Sequence, residues 1–288
     1  MALTPAAGFT YHIVPETQKT PEAIESLLEP FICEGYWKTL QIPPLPRSDV
    51  VRTLGARLDL AGVRPTFDIG GSVSDGRLRL QSPDPAVRSA ALETAKGLVD
   101  QALLLGAVVA DINPGPDPGG DDRPRALSHL ADSLVRLCDY TGRRTEELRG
   151  LIAKGRGAGD GGLLTISLEH FDREVDKRRI LGPTEEAAEF IAGIRRRVPN
   201  IGLTMDLSHL ILLEEDPGAS VATAGEYVAN AHLSNCILGN REDPRWGDRH
   251  PPFFVPGGRV DSAVLASFIS ALQKIDYFSR LPGASGML

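Results

Sequence analysis

Residues 201–213, IGLTMDLSHLILL, are the stretch on which the prediction of the fold rests. Apolar residues dominate the segment, which is typical of a strand buried on both faces of a parallel sheet. Asp206 and His209 interrupt this apolar run three residues apart. A buried strand has no structural need for a carboxylate and an imidazole, so we expect the strand to end beside a functional site.

Strand-like and helix-like segments alternate on both sides of this stretch, which predicts a parallel sheet covered by helices. No linker is long enough to divide the 288 residues, so we predict a single α/β domain over residues 1–288. The seven predicted strands are FTYHIVP (9–15), WKTLQIPPL (37–45), RPTFDIGG (64–71), VVADINPG (108–115), GGLLTISLEHF (161–171), IGLTMDLSHL (201–210) and NAHLSNCIL (230–238).

Charge and hydropathy exclude several classes of protein. Hydrophobic residues make up 42% of the chain, charged residues make up 24%, and the net charge is −7. An acidic protein is not suited to hold a phosphate backbone by bulk electrostatics, so we expect no nucleic-acid partner. The longest apolar run is far shorter than the roughly 18 residues of a membrane span, so we expect no membrane partner either.

Cysteine usage and the N-terminus indicate the compartment. Cys33, Cys138 and Cys236 are far apart and form neither a CxxC motif nor the framework of a secreted protein. The N-terminal residues, MALTPAAGFTYHIVPE, lack the basic and apolar regions of a signal peptide. We therefore predict reduced thiols and a cytoplasmic location.

Carboxylate and imidazole side chains gather at the C-terminal ends of the last three predicted strands and in the loop that follows: Glu169, His170, Asp206, His209, His232, Asp248 and His250. In a barrel of parallel strands the chemistry lies at these ends, and successive strands are neighbours. Carboxylate oxygens and imidazole nitrogens suit a divalent ion such as Mn²⁺, Co²⁺ or Zn²⁺. Because the set contains no thiolate, it favours an open catalytic site over a closed structural zinc site.

Each residue also has a simpler interpretation when it is taken alone. A strand-end aspartate such as Asp206 often caps a helix or a turn, and a lone His232 is more often a satisfied polar residue than a ligand. His170 is interpreted as loop surface and is not expected to be a ligand. Asp248 and His250 form a weak pattern by themselves. The occurrence of all these groups in order, on consecutive strands, is what favours a metal site.

Four segments resemble the xylose isomerase-like barrel superfamily, which contains sugar isomerases, sugar and ketose epimerases and the endonuclease IV enzymes. They are ISLEHFDREVDKR (166–178), GLTMDLSHL (202–210), NAHLSN (230–235) and GDRHPPFFVPGG (247–258). The resemblance is firm over residues 160–275 and weaker before them. It implies a (β/α)₈ TIM barrel with a divalent metal ion at the top of the barrel and a sugar or sugar phosphate as substrate.

The resemblance also implies which residues hold metal. Three ligands of the family's ion match Glu169, Asp206 and His232 in this chain. Asp248 and His250 match the loop pair that binds a further metal in the endonuclease branch.

The remaining implied roles concern the substrate. Glu169 would be the catalytic base, or a metal ligand only. His209 would lie beside the substrate, where it could orient a hydroxyl group, or beside a second metal ion. Arg173 and Arg241 would meet an anionic group of the substrate, although arginines in such loops are more often solvated.

An eighth strand is not recognisable in the sequence. After the last predicted helix the chain reads DYFSRLPGASGML (276–288), which contains no apolar β-branched run, and no glutamate follows Glu242. The family's pattern has a second glutamate on strand eight. We therefore expect the C-terminal sequence of this chain to be truncated or to come from an altered reading frame. We expect this change to open the barrel between strands one and seven and to favour association between copies of the chain.

The sequence therefore leaves three possible functions. The first is a divalent-metal-dependent sugar isomerase or epimerase that transfers a proton next to a carbonyl. The second is a catalytically impaired barrel that binds a metal or a sugar without the strand-eight glutamate. The third is an endonuclease IV-like phosphodiesterase, which would need histidines in the region where this chain has Asp68 and Asn113.

Overall fold

Seven parallel strands form one sheet, in which each strand is hydrogen-bonded to the next along the chain. The computed structural model describes residues 6–8, 24–45, 47–70, 78–152 and 163–280. The strands are β1 (Ala6–Gly8), β2 (Thr39–Ile42), β3 (Arg64–Asp68), β4 (Val109–Ile112), β5 (Thr165–Glu169), β6 (Ile201–Asp206) and β7 (Val228–His232).

Helices connect the strands, as the right-handed crossovers of a parallel sheet require. In the described residues they are α1 (Ile24–Cys33), α2 (Ser48–Leu60), α3 (Pro85–Leu105), α4 (Arg123–Ile152), α5 (Thr184–Arg195), α6 (Leu207–Leu212), α7 (Pro217–Ala224), α8 (Ser262–Lys274) and α9 (Tyr277–Arg280). Short 3₁₀ turns precede α4 and follow α7. The ends of α3 show why the chain folds this way locally: the Asp84 carboxylate accepts hydrogen bonds from the first turn, and Gly106 ends the helix with a left-handed φ of 84°.

The sheet curls into a half-barrel. Strands three apart in a flat sheet would lie about 14 Å from each other, since neighbours are about 4.8 Å apart. Here Cα atoms of β4 and β7 come within 8 Å of one another. The concave side of the sheet is called the lumen face below, and the side covered by helices is called the helix face.

The registers of the strands separate apolar from polar residues. Residues paired across two parallel strands point to the same face of a sheet. The helix-face pairs are apolar: Ile42 with Phe67, Phe67 with Ala110, Ala110 with Ile166, Ile166 with Ile201, and Leu168 with Leu203. The lumen-face pairs are polar: Gln41 with Thr66, Asp68 with Asp111, Asp111 with Ser167, Glu169 with Thr204, Thr204 with Asn230, and Asp206 with His232.

The hydrophobic core lies between the helix face and the helices. The helix-face residues share one buried cluster with side chains such as Leu28 on α1, Leu54 on α2 and Leu92 on α3. The lumen-face residues are buried as well, but they are polar. This differs from a barrel interior filled with branched apolar residues and makes the lumen a place where polar groups need partners.

The structure confirms the predicted α/β barrel with its eighth strand altered or missing, and it corrects the boundaries of two strands. The segment NAHLSNCIL was predicted to be a strand to residue 238, but β7 begins at Val228 and ends at His232. The segment IGLTMDLSHL was predicted to be a strand throughout, but β6 ends at Asp206 and residues 207–212 are helical. The predicted first strand FTYHIVP lies outside the described residues. Among the described residues no eighth strand follows β7, and residues 277–280 form a helical turn instead.

Membrane spans and disulfides were both expected to be absent. None of the helices in the described part of the chain combines the length and the apolar character needed to cross a bilayer. Cys33 is exposed, Cys138 and Cys236 are buried, and all three thiols are free, as the sequence predicts.

Candidate active site

The ends of β5, β6 and β7 bring Glu169, Asp206 and His232 together. His232 Nδ1 lies 3.4 Å from Glu169 Oε1 and 3.6 Å from Asp206 Oδ2. Both separations are longer than the usual N–H···O hydrogen bond of about 2.9 Å. They match the spacing of about 3.4 Å between ligand atoms around a tetrahedral ion whose bonds are about 2.1 Å long.

The two carboxylate oxygens of Asp206 differ in their hydrogen bonds. Oδ1 accepts hydrogen bonds from the backbone N–H of Ser208 at 2.8 Å and from the Ser208 hydroxyl at 2.7 Å, and also from the Ser234 hydroxyl. Oδ2 is buried and has no hydrogen-bond partner among the residues that the structure describes. The cap and the ligand are therefore not exclusive interpretations: one oxygen caps α6, and the other faces His232 and is available to a cation.

His209 connects Glu169 to the loop after β7. Its Nε2 lies 3.4 Å from Glu169 Oε1, and its Nδ1 lies 3.7 Å from Asp248 Oδ1 without a hydrogen-bond partner. The ring centroid is 4.1 Å from that of Phe171, and only 1% of the residue is exposed. His209 is thus an enclosed member of the site, fixed by its place on α6.

The loop after β7 contributes Asp248 and His250. His250 Nε2 lies 2.7 Å from Asp248 Oδ1, and the Ser208 hydroxyl donates to the same oxygen at 2.9 Å. Lys177 Nζ lies 3.0 Å from Asp248 Oδ2. His250 has a left-handed φ of 46°, a conformation that a non-glycine residue adopts only when its surroundings impose it.

Two groups of side chains have ligand atoms close enough to share an ion. Asp206, His209 and His250 form one group, and Asp111, Glu169 and His232 form the other; within each group the ligand atoms lie within 4.8 Å of one another. Carboxylates and imidazoles suit a divalent ion of the Mn²⁺, Co²⁺ or Zn²⁺ kind. The unpartnered oxygen of Asp206 and this donor set fit a bound cation.

The charges at the site shift its pKa values in opposite directions. Burial disfavours the charged form of Glu169, yet His209 and His232 hold the pKa of this carboxyl at about 2. Burial lowers the pKa of His209, but Asp248, Asp206 and Glu169 raise it to about 10. Burial also opposes protonation of His232, and Asp206 and Glu169 nevertheless raise its pKa well above the ordinary value. At neutral pH these shifts favour the negative charge of Glu169 and the positive charges of His209 and His232.

Asp111 belongs to the site although the sequence interpretation missed it. Its Oδ1 accepts a hydrogen bond from the Thr204 hydroxyl, which lies 2.6 Å from the Ser167 hydroxyl. Burial, followed by the charge of Glu169, raises the pKa of the Asp111 carboxyl well above its ordinary value. The signal that could have identified it is the carboxylate of Asp111 within the apolar run VVADI (108–112), as with Asp206 in β6.

Two amide side chains at the lumen face were also missed. Gln41 Nε2 on β2 and Asn113 Oδ1, directly after β4, are buried and find no hydrogen-bond partner in the described part of the chain. Each is an unused donor or acceptor in a region that otherwise satisfies its polar groups.

Three other residues named from the sequence have contacts of their own. His170 is fully buried, contrary to its interpretation as loop surface, and its Nε2 lies 2.9 Å from the Thr184 hydroxyl. The Arg173 guanidinium pairs with Glu186 and lies 3.9 Å from Asp117. Arg241 is exposed and stacks over Trp246, 5.2 Å from the ring centroid.

Comparisons with known proteins indicate the same barrel fold. The family model described as xylose isomerase-like TIM barrel matches residues 32–280. No curated protein gave a significant match to the sequence.

Three solved structures illustrate the structural likeness. A D-psicose 3-epimerase from Clostridium cellulolyticum H10, solved with D-tagatose, is 18% identical with a TM-score of 0.62 over 88% of this chain and 76% of that chain. A D-tagatose 3-epimerase-like protein is 17% identical with a TM-score of 0.66 over 94% and 86%. A D-allulose 3-epimerase from Methylomonas sp. is 22% identical with a TM-score of 0.58 over 85% and 72%. At these identities the likeness shows the fold.

Proposed function

The chain belongs to the xylose isomerase-like TIM barrel family, and from this premise we propose that it is a divalent-metal-dependent sugar isomerase or epimerase. The reaction would move a proton on the carbon next to a sugar carbonyl. The epimerase names of its structural neighbours support this class of substrate.

One observation carries the proposal. Asp206 Oδ2 is a buried carboxylate oxygen without a hydrogen-bond partner, and it lies 3.6 Å from His232 Nδ1, which is itself 3.4 Å from Glu169 Oε1. A buried anionic oxygen without a partner is unfavourable, and a divalent ion between these three atoms would remove the penalty. We therefore assign Glu169, Asp206 and His232 as ligands.

A bound divalent ion would polarise the sugar's carbonyl oxygen and offset the negative charge that develops when the neighbouring carbon loses its proton. Glu169 is the residue that we propose takes and returns this proton, since its carboxylate is ionised and partly reachable. His209 contacts Glu169 from the enclosed side and holds Oε1 in position. His209 as a partner of a substrate hydroxyl stays a prediction.

A second ion is a finer part of the same proposal. Asp248 and His250 lie against each other, and both lie close to His209. We propose that this pair holds the second ion or a substrate hydroxyl beside the first site.

The unpartnered amides at the lumen face suit a polyhydroxylated substrate. Gln41 Nε2 and Asn113 Oδ1 are buried at the ends of β2 and β4 and lack protein partners. Sugar hydroxyl groups both donate and accept hydrogen bonds, so each amide atom has a matching group on such a substrate. We propose that these two residues form hydrogen bonds with hydroxyl groups of the sugar.

Metal content is the first test. The chain is purified, stripped with a chelator, reloaded with Mn²⁺, Co²⁺ or Zn²⁺ separately, and compared with an Asp206→Ala variant. We expect at least one ion per chain in the wild type and loss of the Glu169–Asp206–His232 ion in the variant. If the wild type binds no ion, the proposal is wrong.

Proton transfer is the second test. The reloaded wild type is incubated in D₂O with D-fructose, D-psicose, D-tagatose and L-ribulose, and deuterium at the carbons flanking the carbonyl is followed by NMR. Exchange with sugar interconversion supports the enzyme. Ion binding without exchange on any sugar of a wider ketose and aldose panel would favour a binding barrel without turnover.

The phosphodiesterase alternative has less support. The ends of β2, β3 and β4 present Gln41, Asp68 and Asn113 to the lumen, and the sequence has no histidine between His12 and His129. An abasic-site DNA substrate in the same metal screen checks this alternative directly.

A further inference from the structure

Asp111 occupies a position that neither a helix cap nor a salt bridge explains. It lies on β4 at the lumen face, in register with Ser167 of β5, and it is 2% exposed. One ligand atom each of Asp111, Glu169 and His232 fall within 4.8 Å of one another. Ligand atoms on opposite sides of an ion with bonds of about 2.1 Å lie about 4.2 Å apart, so small side-chain rotations bring the three onto one ion.

The side chain of Asp111 is oriented in the way that ligating carboxylates are. The Thr204 hydroxyl donates to its Oδ1 and is itself 2.6 Å from the Ser167 hydroxyl. Asp206 is held in the same manner, with Ser208 and Ser234 on one oxygen. Hydrogen bonds of this kind fix the direction of a ligand and strengthen it.

A separate observation points to a cation beside Asp111. Asp206 Oδ2 is a fully buried oxygen without a hydrogen-bond partner, and it lies 3.6 Å from His232 Nδ1, a member of the Asp111 group. The lumen thus gathers three carboxylates around one imidazole. A divalent ion at this point would give the buried Oδ2 of Asp206 the partner that it lacks among the described residues.

We propose that Asp111 is a ligand of the same ion as Glu169, Asp206 and His232. The ligand set then spans four consecutive strands, β4 to β7, and all four ligands come from the sheet that the structure describes. The family's pattern has a second glutamate on strand eight; in this chain the fourth ligand would come from strand four instead. The inference rests on the proposed metal site and adds a ligand to it.

Manganese affinity in two matched variants tests the inference. Asp111→Asn and Asp68→Asn each remove one negative charge, and the two positions are paired across neighbouring strands. Among the described residues, Asp68 is outside the group of ligand atoms. Free Mn²⁺ is measured by EPR during titration of chelator-stripped protein. We expect Asp111→Asn to raise the Kd at least about 100-fold, more than loss of an outer-shell partner, and Asp68→Asn to change it by less than about threefold.

The outcomes separate the inference from the proposed function. Equal weakening in both variants indicates a general effect of charge and overturns the ligand role of Asp111. A wild-type Kd in Asp111→Asn overturns it as well, while the site of Glu169, Asp206 and His232 stands. Absence of Mn²⁺ binding in the wild type overturns both.

A measurement on the wild type covers the case in which Asp111→Asn does not fold. Crystals grown with Mn²⁺ give the position of the ion from its anomalous scattering. We expect an Asp111 oxygen within about 2.5 Å of the ion. A distance beyond 4 Å, on the order of a water-bridged contact, overturns the inference.

Discussion

The two faces of the sheet are formed by the same strands, but one packs in the hydrophobic core and the other carries the candidate site. On the helix face, Ile42, Phe67, Ile166 and Leu203 are buried in a continuous apolar core. On the lumen face, alternate residues of the same strands are carboxylates, hydroxyls and amides, which are also buried, and one imidazole, His232, which is partly exposed. Burial alone therefore does not distinguish a structural residue from a functional one in this protein. The candidate site also contains a buried carboxylate oxygen, Asp206 Oδ2, without a hydrogen-bond partner among the described residues.

The largest effect is expected on the lumen face, at Glu169. Glu169→Gln keeps the shape of the side chain but removes its charge and its ability to take a proton. We expect proton exchange at the sugar carbon to fall at least about 10³-fold, with the fold unchanged. Deuterium incorporation by NMR measures the rate, and circular dichroism checks the fold. Full exchange in the variant would mean that Glu169 is not the base.

Next in size is a change on the helix face. Phe67 is fully buried between β2, β4 and the helices. We expect Phe67→Ala to lower the free energy of unfolding by about 3–5 kcal/mol, because it leaves a cavity in the core. Urea unfolding measures the loss. Phe67→Leu is the milder control and should leave the Kd for Mn²⁺ within about threefold of the wild-type value. A larger change would show that packing on the helix face also controls ion binding on the lumen face.

A smaller effect is expected where β6 meets the bulge in β7. A Cβ on Gly202 would lie 2.5 Å from the Ala229 Cβ and 2.7 Å from the Tyr227 carbonyl oxygen. We expect Gly202→Ala to destabilise the protein by about 1–3 kcal/mol, since backbone must move. Gly193→Ala in α5 is the control: it has room and a helical backbone, so it should stabilise by about 0.5–1 kcal/mol. Equal unfolding energies in the two variants would contradict this.

The smallest effect is the pH dependence of ion binding, about 1.4 kcal/mol per pH unit for each proton released. His232 has a pKa well above its ordinary value in the metal-free protein, and it must lose its proton to become a ligand. Affinity for Mn²⁺ should therefore rise with pH while His232 is protonated in the metal-free protein, by about tenfold per unit for this one proton. Calorimetry in buffers of different ionisation enthalpy counts the protons, and a count of zero would exclude His232 as a ligand.

Stability of the metal-free protein should change in the opposite direction with pH. The folded-state pKa of His209 is about 10, above its ordinary value of 6.5. Its ion pairs therefore stabilise the fold fully below pH 6.5 and lose that contribution as the pH rises toward 10. Urea unfolding across this range, with His209→Gln as reference, measures the contribution.

Much of the fold could be predicted from the sequence. Apolar runs bounded by turns located β2 to β6, because a strand buried on both faces needs such a run, whereas the predicted seventh strand extended six residues beyond the end of β7. The end of β6 could not be located in this way, since Leu207 and Leu210 continue the apolar pattern into α6. Only the capping geometry of Asp206, which depends on Ser208 and Ser234, sets where the strand stops.

The residues of the candidate site also divide into those that the sequence identifies and those that only the structure identifies. The sequence by itself determined that Glu169, Asp206, His232, Asp248 and His250 stand at or after strand ends, because strand order and spacing are properties of the chain. Only the tertiary structure decided that Asp111 joins them, that His209 is enclosed, and that Asp206 keeps one oxygen free. These facts depend on the curl of the sheet and on the register between strands, and both are set by packing of the helix face across the whole domain.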